Sequence, residues 1–413
     1  MIAVIGLGYV GMTTALYFCE RKNIKVYGVD KNEEKKNQIK NSILPFYEPK
    51  LEKLLKKHNN KTLFLNDIEK SVKESKYIFI CVDTDMKKDG SVNLNSIYSA
   101  LNQILNYINS YKVIVIRSSI PPTTTENYIL PLIKEKKLTI GKDIGLCINP
   151  EFSREGKCFD EIINSNRIIL GTNDSKSFSM MNDLYKEDGI DIFNCNYTTA
   201  EFSKYLSNSL IANMISFSNE MAMLAENLGD IDVKSAFNII KNDNRWNNCE
   251  MRNYVYPIGK FGGYCLTKDT NALYYVSKTN NSTSSFLKDI ININDQLENY
   301  FVSKIKKEVN KNQKIGILGL SFKPNSDDVR NTSSYYVIKK LKEEGYSNIY
   351  AHDPMAIDNF KNTYNILGEN QYISDYRELI KRVDVVIVLT IWNEYKNIKN
   401  EINKKVIDFT HKL

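Results

Sequence analysis

The chain has 413 residues, 42% apolar and 25% charged, a length and mixture that read as a globular, soluble protein able to bury two or three cores. Its formal charge of +7 is modest and spread along the chain, so an anionic metabolite fits, whereas a nucleic-acid partner has no concentrated basic motif behind it. The seven cysteines form no CxxC pair and the three histidines share no ligand spacing, which argues against a disulfide framework, a histidine metal site and a histidine general base.

The first predicted element is an apolar strand, Ile2-Ala3-Val4-Ile5, followed by Gly6-Leu7-Gly8-Tyr9-Val10-Gly11 and helix-forming residues from Thr13 to Arg21. In that order a GxGxxG has physical content: Gly6 permits the tight turn, Gly8 lets backbone approach a pyrophosphate, and Gly11 lets helix and strand pack closely. The next apolar segment, 25–29, ends at Asp30, where a carboxylate would accept hydrogen bonds from an adenosine ribose and repel a 2′-phosphate, favouring NAD over NADP. Tyr9, Val10 and Lys35 are further expected cofactor contacts in this stretch. The bland alternative is a glycine-rich structural turn ending in a solvated Asp.

Strand-like runs at 2–5, 25–29, 77–82, 113–117, 144–148 and 167–171, with helical patterns between several of them, have the rhythm of a doubly wound α/β sheet. No cleavable leader is read, because the glycine motif interrupts the apolar opening and Glu20-Arg21-Lys22 follows; the apolar stretch from Val385 to Ile391 is too short to cross a bilayer. A reducing, cytoplasmic location and no membrane partner are expected.

From Thr199 to Leu228 the pattern changes to one long helix. Phe202, Tyr205, Leu206, Ser209, Leu210, Ala212, Asn213, Phe217, Met221 and Leu224 recur near helical spacing, and Gly229 is available to end it. Such a helix is long for a surface element and more natural as a spine between domains. Lys204 and Asn208 are four apart on it, either a cation and an amide donor aimed at one oxygen or simply a solvated face.

Cys265 sits in Gly262-Gly263-Tyr264-Cys265-Leu266-Thr267-Lys268-Asp269, a possible thiolate beside glycine backbone and a Lys/Asp pair. On residue types alone it is either a nucleophile or a small cysteine among tight glycines. A polar connection at 277–286 precedes a helix at about 288–308. A second α/β domain then opens at 314–320, with strands at 348–351, 383–389 and 405–407; its glycine turn lacks a full GxGxxG, so a nucleotide portion of a substrate is expected there and no second NAD. The expected fold is α/β, two Rossmann-like doubly wound domains (1–198 and 301–413) joined by a central helical domain with a long spine helix (199–300).

These residues together resemble the nucleotide-sugar dehydrogenases, the UDP-glucose/GDP-mannose dehydrogenase family, over essentially the whole length. The resemblance is carried by GLGYVG at 6–11, Glu48-Pro49, Asn149-Pro150-Glu151-Phe152 with Arg154-Glu155-Gly156, the Lys204/Asn208 helix, Gly262-Gly263-Tyr264-Cys265 with Lys268-Asp269, and Gly319-Leu320-Ser321-Phe322-Lys323-Pro324 followed by Asp327-Asp328-Val329-Arg330. It implies NAD-dependent double oxidation of a sugar C6 hydroxymethyl group, with Cys265 attacking the intermediate aldehyde and passing through a thiohemiacetal and a thioester. It further implies that Lys204 and Asn208 stabilise the developing oxyanion, that Asp269 accepts a proton or holds water, that Glu155 assists deacylation, and that Ser119 orders water. Ser119, Glu155, Lys268 and Arg330 join the cofactor contacts; Glu151, Phe152, Arg245, Phe261, Gly262 and Lys323 join the substrate contacts.

Two stretches depart from the family pattern. Ser118-Ser119-Ile120-Pro121-Pro122-Thr123 replaces serine–threonine–x–proline–x–glycine, and Thr267 replaces a proline before Lys268; both are expected to alter loop shape or specificity more readily than to abolish chemistry. The segment containing Asn244-Arg245-Trp246 carries an insertion running to Tyr256-Pro257, where the family sends an arginine into a partner's site, so a homodimer is expected. The Asn149–Phe152 form implies UDP-glucose as the UDP-sugar substrate and UDP-glucuronate as product, over UDP-N-acetylmannosamine, with GDP-mannose the nearer enzymatic alternative. A catalytically silent NAD-binding interaction protein would leave Cys265, Lys204 and Asp269 without a use, and a single-step hydroxy-acid dehydrogenase would leave Cys265 idle.

Overall fold

The computed structural model describes every residue except 187, 188, 247, 248 and 283, together with the side chain of Pro49. Two compact units result, Met1–Ser207 and Asn208–Leu413, and the boundary falls inside one continuous helix.

In the first unit eight strands form one sheet: β1 (Ile2–Ile5), β2 (Val26–Val29), β3 (Leu63–Leu65), β4 (Tyr77–Ile80), β5 (Val113–Ile116), β6 (Gly145–Ile148), β7 (Arg167–Gly171) and β8 (Asp191–Cys195), in the order β3-β2-β1-β4-β5-β6-β7-β8. The pairings are parallel except β6 with β7. Strands β1, β4, β5 and β6 are buried at every position, as a parallel sheet covered on both faces requires. Their alternation still sorts the side chains: Ile2, Val4, Phe79 and Val115 enter one core, while Ala3, Ile5, Ile78 and Ile114 enter another. The strand order reverses between β1 and β4, and an open α/β sheet takes its ligand beyond the carboxyl ends of the strands at such a point.

The expected strands all form; β3 and β8 are additional. β3 has three residues, and β8 is mostly exposed, so neither shows an apolar alternation.

Helix α1 (Tyr9–Lys22) follows the glycine turn, and helix α2 (Tyr197–Leu228) is the long one, beginning two residues before the sequence expectation. Gly229 takes φ +71° directly after it, a backbone that glycine adopts without strain. Along α2 the apolar positions divide. Tyr205, Ala212 and Ile215 are buried, whereas Phe202, Leu206, Leu210, Phe217, Leu224 and Leu228 are exposed.

The second unit holds α3 (Cys265–Thr279), α4 (Ser285–Glu308) and a four-stranded parallel sheet of β9 (Ile315–Leu318), β10 (Ile349–His352), β11 (Val385–Val388) and β12 (Lys405–Asp408), ordered β10-β9-β11-β12. Leu297, Phe301 and Ile305 of α4 pack on Ile315, Ile317 and Ile387, and the opposite face of the sheet packs on Leu379, Tyr395 and Ile398. The polar connection narrows to 280–284, of which Thr283 lies outside the described residues. Two Rossmann-like α/β domains thus flank a central helical region, as expected.

Candidate active site

In the first unit, Gly6 has φ +91° and a Cβ there would stand 2.7 Å from the carbonyl oxygen of Cys81 at the end of β4. A Cβ on Gly11 would collide with the Gly6 carbonyl at 1.8 Å, but one on Gly8 would meet nothing within 4 Å. Two glycines therefore close the turn and the third leaves open space in front of it. The first turn of α1 has no acidic residue and, among the described residues, no side-chain cap, a setting in which a helix N-terminus receives an anion. Asp30, at the end of β2, accepts from the Leu7 N–H at 2.7 Å and pairs with Lys35 at 3.3 Å. The acid expected to meet a ribose also braces the loop that would hold the pyrophosphate. The Tyr9 ring lies against Phe46, tilted, with centroids 3.9 Å apart, and Val10, in the first turn of α1, packs against the core.

A second constellation in this unit centres on Arg117, which sequence reasoning missed. Its guanidinium is buried and donates to Thr14 Oγ1 at 2.9 Å, to Asn149 Oδ1 at 2.5 Å and to Glu151 Oε2. The other oxygen of Glu151 accepts from the N–H groups of Phe152 and Ser153, both at 2.8 Å. Burial opposes ionisation of Glu151, but Arg117, these N–H groups and Lys204 outweigh it and hold the carboxyl below its usual range. Lys204 Nζ lies 5.1 Å from the Phe152 ring centroid, and the Arg167 guanidinium lies 4.9 Å from the same ring. Lys204 is 7% exposed and, among the described residues, makes no direct hydrogen bond or ion pair, its charge acting on Glu151 without contact. Ser119 follows β5, its carbonyl accepting from the Tyr205 hydroxyl at 3.4 Å; Glu155 is half-buried.

In the second unit, Cys265 is the first residue of α3 and is exposed. Unpaired N–H groups in a helix's first turn favour negative charge, the form in which a thiol is nucleophilic. Burial pushes Cys19 up to about 11 and Cys81 up to about 12, and raises Cys147, Cys158 and Cys195 as well. Those five are held protonated. One turn beyond Cys265, Asp269 is buried, accepting from Asn208 Nδ2 at 2.6 Å and from Lys268 Nζ at 2.5 Å.

The loop before Cys265 is clamped from several sides. Asn219 of α2 exchanges hydrogen bonds with Gly259, and Asn294 of α4 does the same with the backbone of Phe261. A Cβ on Gly262 would stand 2.6 Å from the Asn331 carbonyl, and Gly263, at φ +68°, lies against the Phe322 ring. The Gly263 N–H donates to the Arg330 carbonyl at 2.8 Å, so the cysteine loop and the segment after β9 are laced together by main chain. Arg330 forks onto Asp328 and lies 5.0 Å from the Tyr264 ring; Lys323 lies 5.4 Å from the Phe322 ring. Phe261, Gly262, Lys268, Lys323 and Arg330 thus belong to one neighbourhood. Arg245 does not join it: it lies on an exposed turn, forked onto Asp243. Residues 247 and 248 of the insertion beyond it lie outside the described residues.

A glycine turn at the switch point of a doubly wound sheet, with an acid at the end of β2, is the arrangement of a dinucleotide-binding domain. The chain belongs to the UDP-glucose/GDP-mannose dehydrogenase family: residues 1–188 match its NAD binding domain, 198–296 its central domain and 316–412 its UDP binding domain. It is 32% identical over 403 residues to the UDP-glucose 6-dehydrogenase TuaD of Bacillus subtilis (strain 168), covering 96% of this chain and 85% of that one. Among solved structures, a UDP-glucose dehydrogenase from the archaeon Pyrobaculum islandicum superposes with a TM-score of 0.91 at 30% identity, covering 99% of this chain and 94% of that one. A UDP-D-ManNAc dehydrogenase from Pyrococcus horikoshii gives 0.82 at 25% identity, covering 98% and 94%. The chain is an NAD-dependent oxidoreductase acting on nucleotide sugars. Among the described residues no helix is long and apolar enough to cross a membrane.

Proposed function

We propose that the protein oxidises the C6 primary alcohol of UDP-glucose twice, yielding UDP-glucuronate, with Cys265 as covalent nucleophile. The observation that carries this reading is Cys265 itself, exposed at the start of α3 while the buried thiols are held protonated. The names of TuaD and the Pyrobaculum enzyme support the choice of sugar. In this reading the domains run 1–198, 199–300 and 301–413.

Gly6, Gly8, Gly11 and the N–H groups of Tyr9 and Val10 receive the cofactor pyrophosphate, with Asp30 and Lys35 at the ribose and Ser119, Glu155, Lys268 and Arg330 as further contacts. Bound NAD supplies the hydride acceptor for each oxidation. Lys204 and Asn208 donate to the C6 oxygen as it gains charge. After the alcohol has become an aldehyde, the Cys265 sulfur adds to its carbon. The resulting thiohemiacetal carbon loses hydride and leaves a thioester. Water, assisted by Glu155 and ordered by Ser119, adds to the thioester carbonyl; the C–S bond breaks and the thiolate returns. Asp269 receives a proton or holds the water. Glu151, Phe152, Phe261, Gly262 and Lys323 bind the UDP-sugar, and Arg245, exposed on its own turn, binds it in the site of a second copy.

The exposed apolar positions of α2, at 202, 206, 210, 217, 224 and 228, recur at intervals of four and seven residues and so form one stripe along the helix. A contiguous exposed apolar surface marks an interaction site. The proposed occupant is the same stripe of a second copy, giving a homodimer. Five thiols kept protonated by burial also suit a reducing, cytoplasmic setting.

The test is to incubate purified protein with NAD and, separately, UDP-glucose, GDP-mannose and UDP-N-acetylmannosamine, following NADH and the sugar acid. Preferential formation of UDP-glucuronate supports the reading. Turnover of GDP-mannose or UDP-N-acetylmannosamine alone would transfer it to that sugar, and cofactor binding without turnover of any would leave a non-catalytic role.

A further inference from the structure

Glu201 lies on α2 one turn before Lys204 and is 1% exposed. Its Oε1 accepts from the Thr125 N–H at 2.8 Å and from the Thr125 hydroxyl at 2.6 Å, while its Oε2 is buried with no hydrogen-bond partner. A half-satisfied buried carboxylate is costly, and an apolar side chain of similar size would avoid the cost. Burial pushes the group up to about 7; the Thr125 hydroxyl and the N–H groups of Thr125 and Thr123 pull it down, and Glu126 adds to the upward push.

What Glu201 grips is informative. Thr125 opens a turn of π-helix, Thr125–Ile129, and the preceding loop contains Ser119 and Thr123. Thr123 has φ +71°, a conformation a β-branched residue holds only when its surroundings impose it. Two anchors on α2 bracket that residue. The buried Tyr205 hydroxyl reaches the Ser119 carbonyl on one side, and Glu201 holds Thr125 on the other. Lys204 lies between the two anchors in sequence, on the same helix.

We propose that Glu201 is a positioning residue: by pinning Thr125 to α2 it holds the strained loop in place and so fixes Ser119 relative to Lys204. This rests on the reading that Ser119 and Lys204 serve the reaction. The experiment uses the full chain with NAD and whichever nucleotide sugar it turns over. Glu201→Ala should lower kcat by roughly tenfold to a hundredfold, in line with the cost of a small misplacement, and should speed amide exchange across 119–126. Glu201→Gln, which keeps the acceptor oxygen, should recover most of the loss. Thr125→Val, which removes the hydroxyl from the other side, should move kcat the same way by less. Added to Ser119→Ala, Glu201→Ala should cost little more, because both act through one hydroxyl.

A folded Glu201→Ala enzyme with wild-type kcat, an additive double variant, or a Gln variant as impaired as the Ala variant would each overturn the proposal. The two readings separate cleanly. If Ser119→Ala is impaired and Glu201→Ala is not, only this inference fails; if Ser119→Ala is itself silent, the role of Ser119 fails and the inference falls with it.

Discussion

The side-chain amide of Asn208 donates to one oxygen of Asp269 at 2.6 Å while Lys268 holds the other at 2.5 Å, all three groups being buried. Asp269 therefore compensates a buried cation and fixes an amide proposed to face the reacting oxygen. Replacing it by Asn keeps the size but turns an NH2 toward a donor and removes the negative charge that lies 2.5 Å from Lys268. Breaking one side of a buried ion pair costs on the order of 3–5 kcal/mol. Asp269→Asn should unfold at clearly lower urea concentration and lose most of its turnover; a variant with wild-type stability would contradict the pairing.

Lys204 makes the opposite case. Among the described residues it makes no direct ion pair or hydrogen bond; it faces the Phe152 ring and acts on Glu151 only through its charge. Lys204→Met should retain stability while lowering kcat by about 10²–10³, the usual cost of losing a donor to a developing oxyanion. Equilibrium unfolding and steady-state kinetics on the same preparation check both halves, and a large loss of stability without loss of kcat would show that Lys204 is structural.

Thr123 carries backbone strain where the family pattern has glycine. A non-glycine residue in the left-handed region costs of order 1–3 kcal/mol, and the extra freedom of an unfolded glycine costs about 0.5–1 kcal/mol. The strain term is the larger, so Thr123→Gly should stabilise the protein by about 1 kcal/mol despite losing the Asn127 amide bond to the threonine hydroxyl. Urea unfolding measures it directly.

The α2 stripe predicts self-association. Leu210 is 45% and Phe217 51% exposed, so Leu210→Glu or Phe217→Glu should leave the fold intact and shift the sedimentation equilibrium from dimer to monomer. An equally monomeric unsubstituted protein would remove the dimer from the account.

Much of the fold and of the site is legible in the amino-acid sequence alone. The glycine turn and Asp30 are local in sequence, each residue's task being set by the turn geometry, and the cysteine run gains its meaning from Lys268 and Asp269 within one turn of helix. Arg117 and Glu201 are not legible in this way, because their roles depend on burial and on partners distant in the chain: Glu151 for one, Thr125 for the other. The periodicity of α2 announces a helix but not that Tyr205 and Leu206 face in different directions, one into a core and one outward. β8 escapes because it is mostly exposed and shows no alternation to read.

The most direct test of the covalent reading is the ratio of NADH to UDP-glucuronate for the unsubstituted protein and for Cys265→Ser, with NAD binding measured alongside. The account predicts two NADH per uronate and, in the variant, loss of complete turnover with cofactor binding preserved. A Cys265→Ser enzyme that still makes two NADH per uronate at the unsubstituted rate would contradict it.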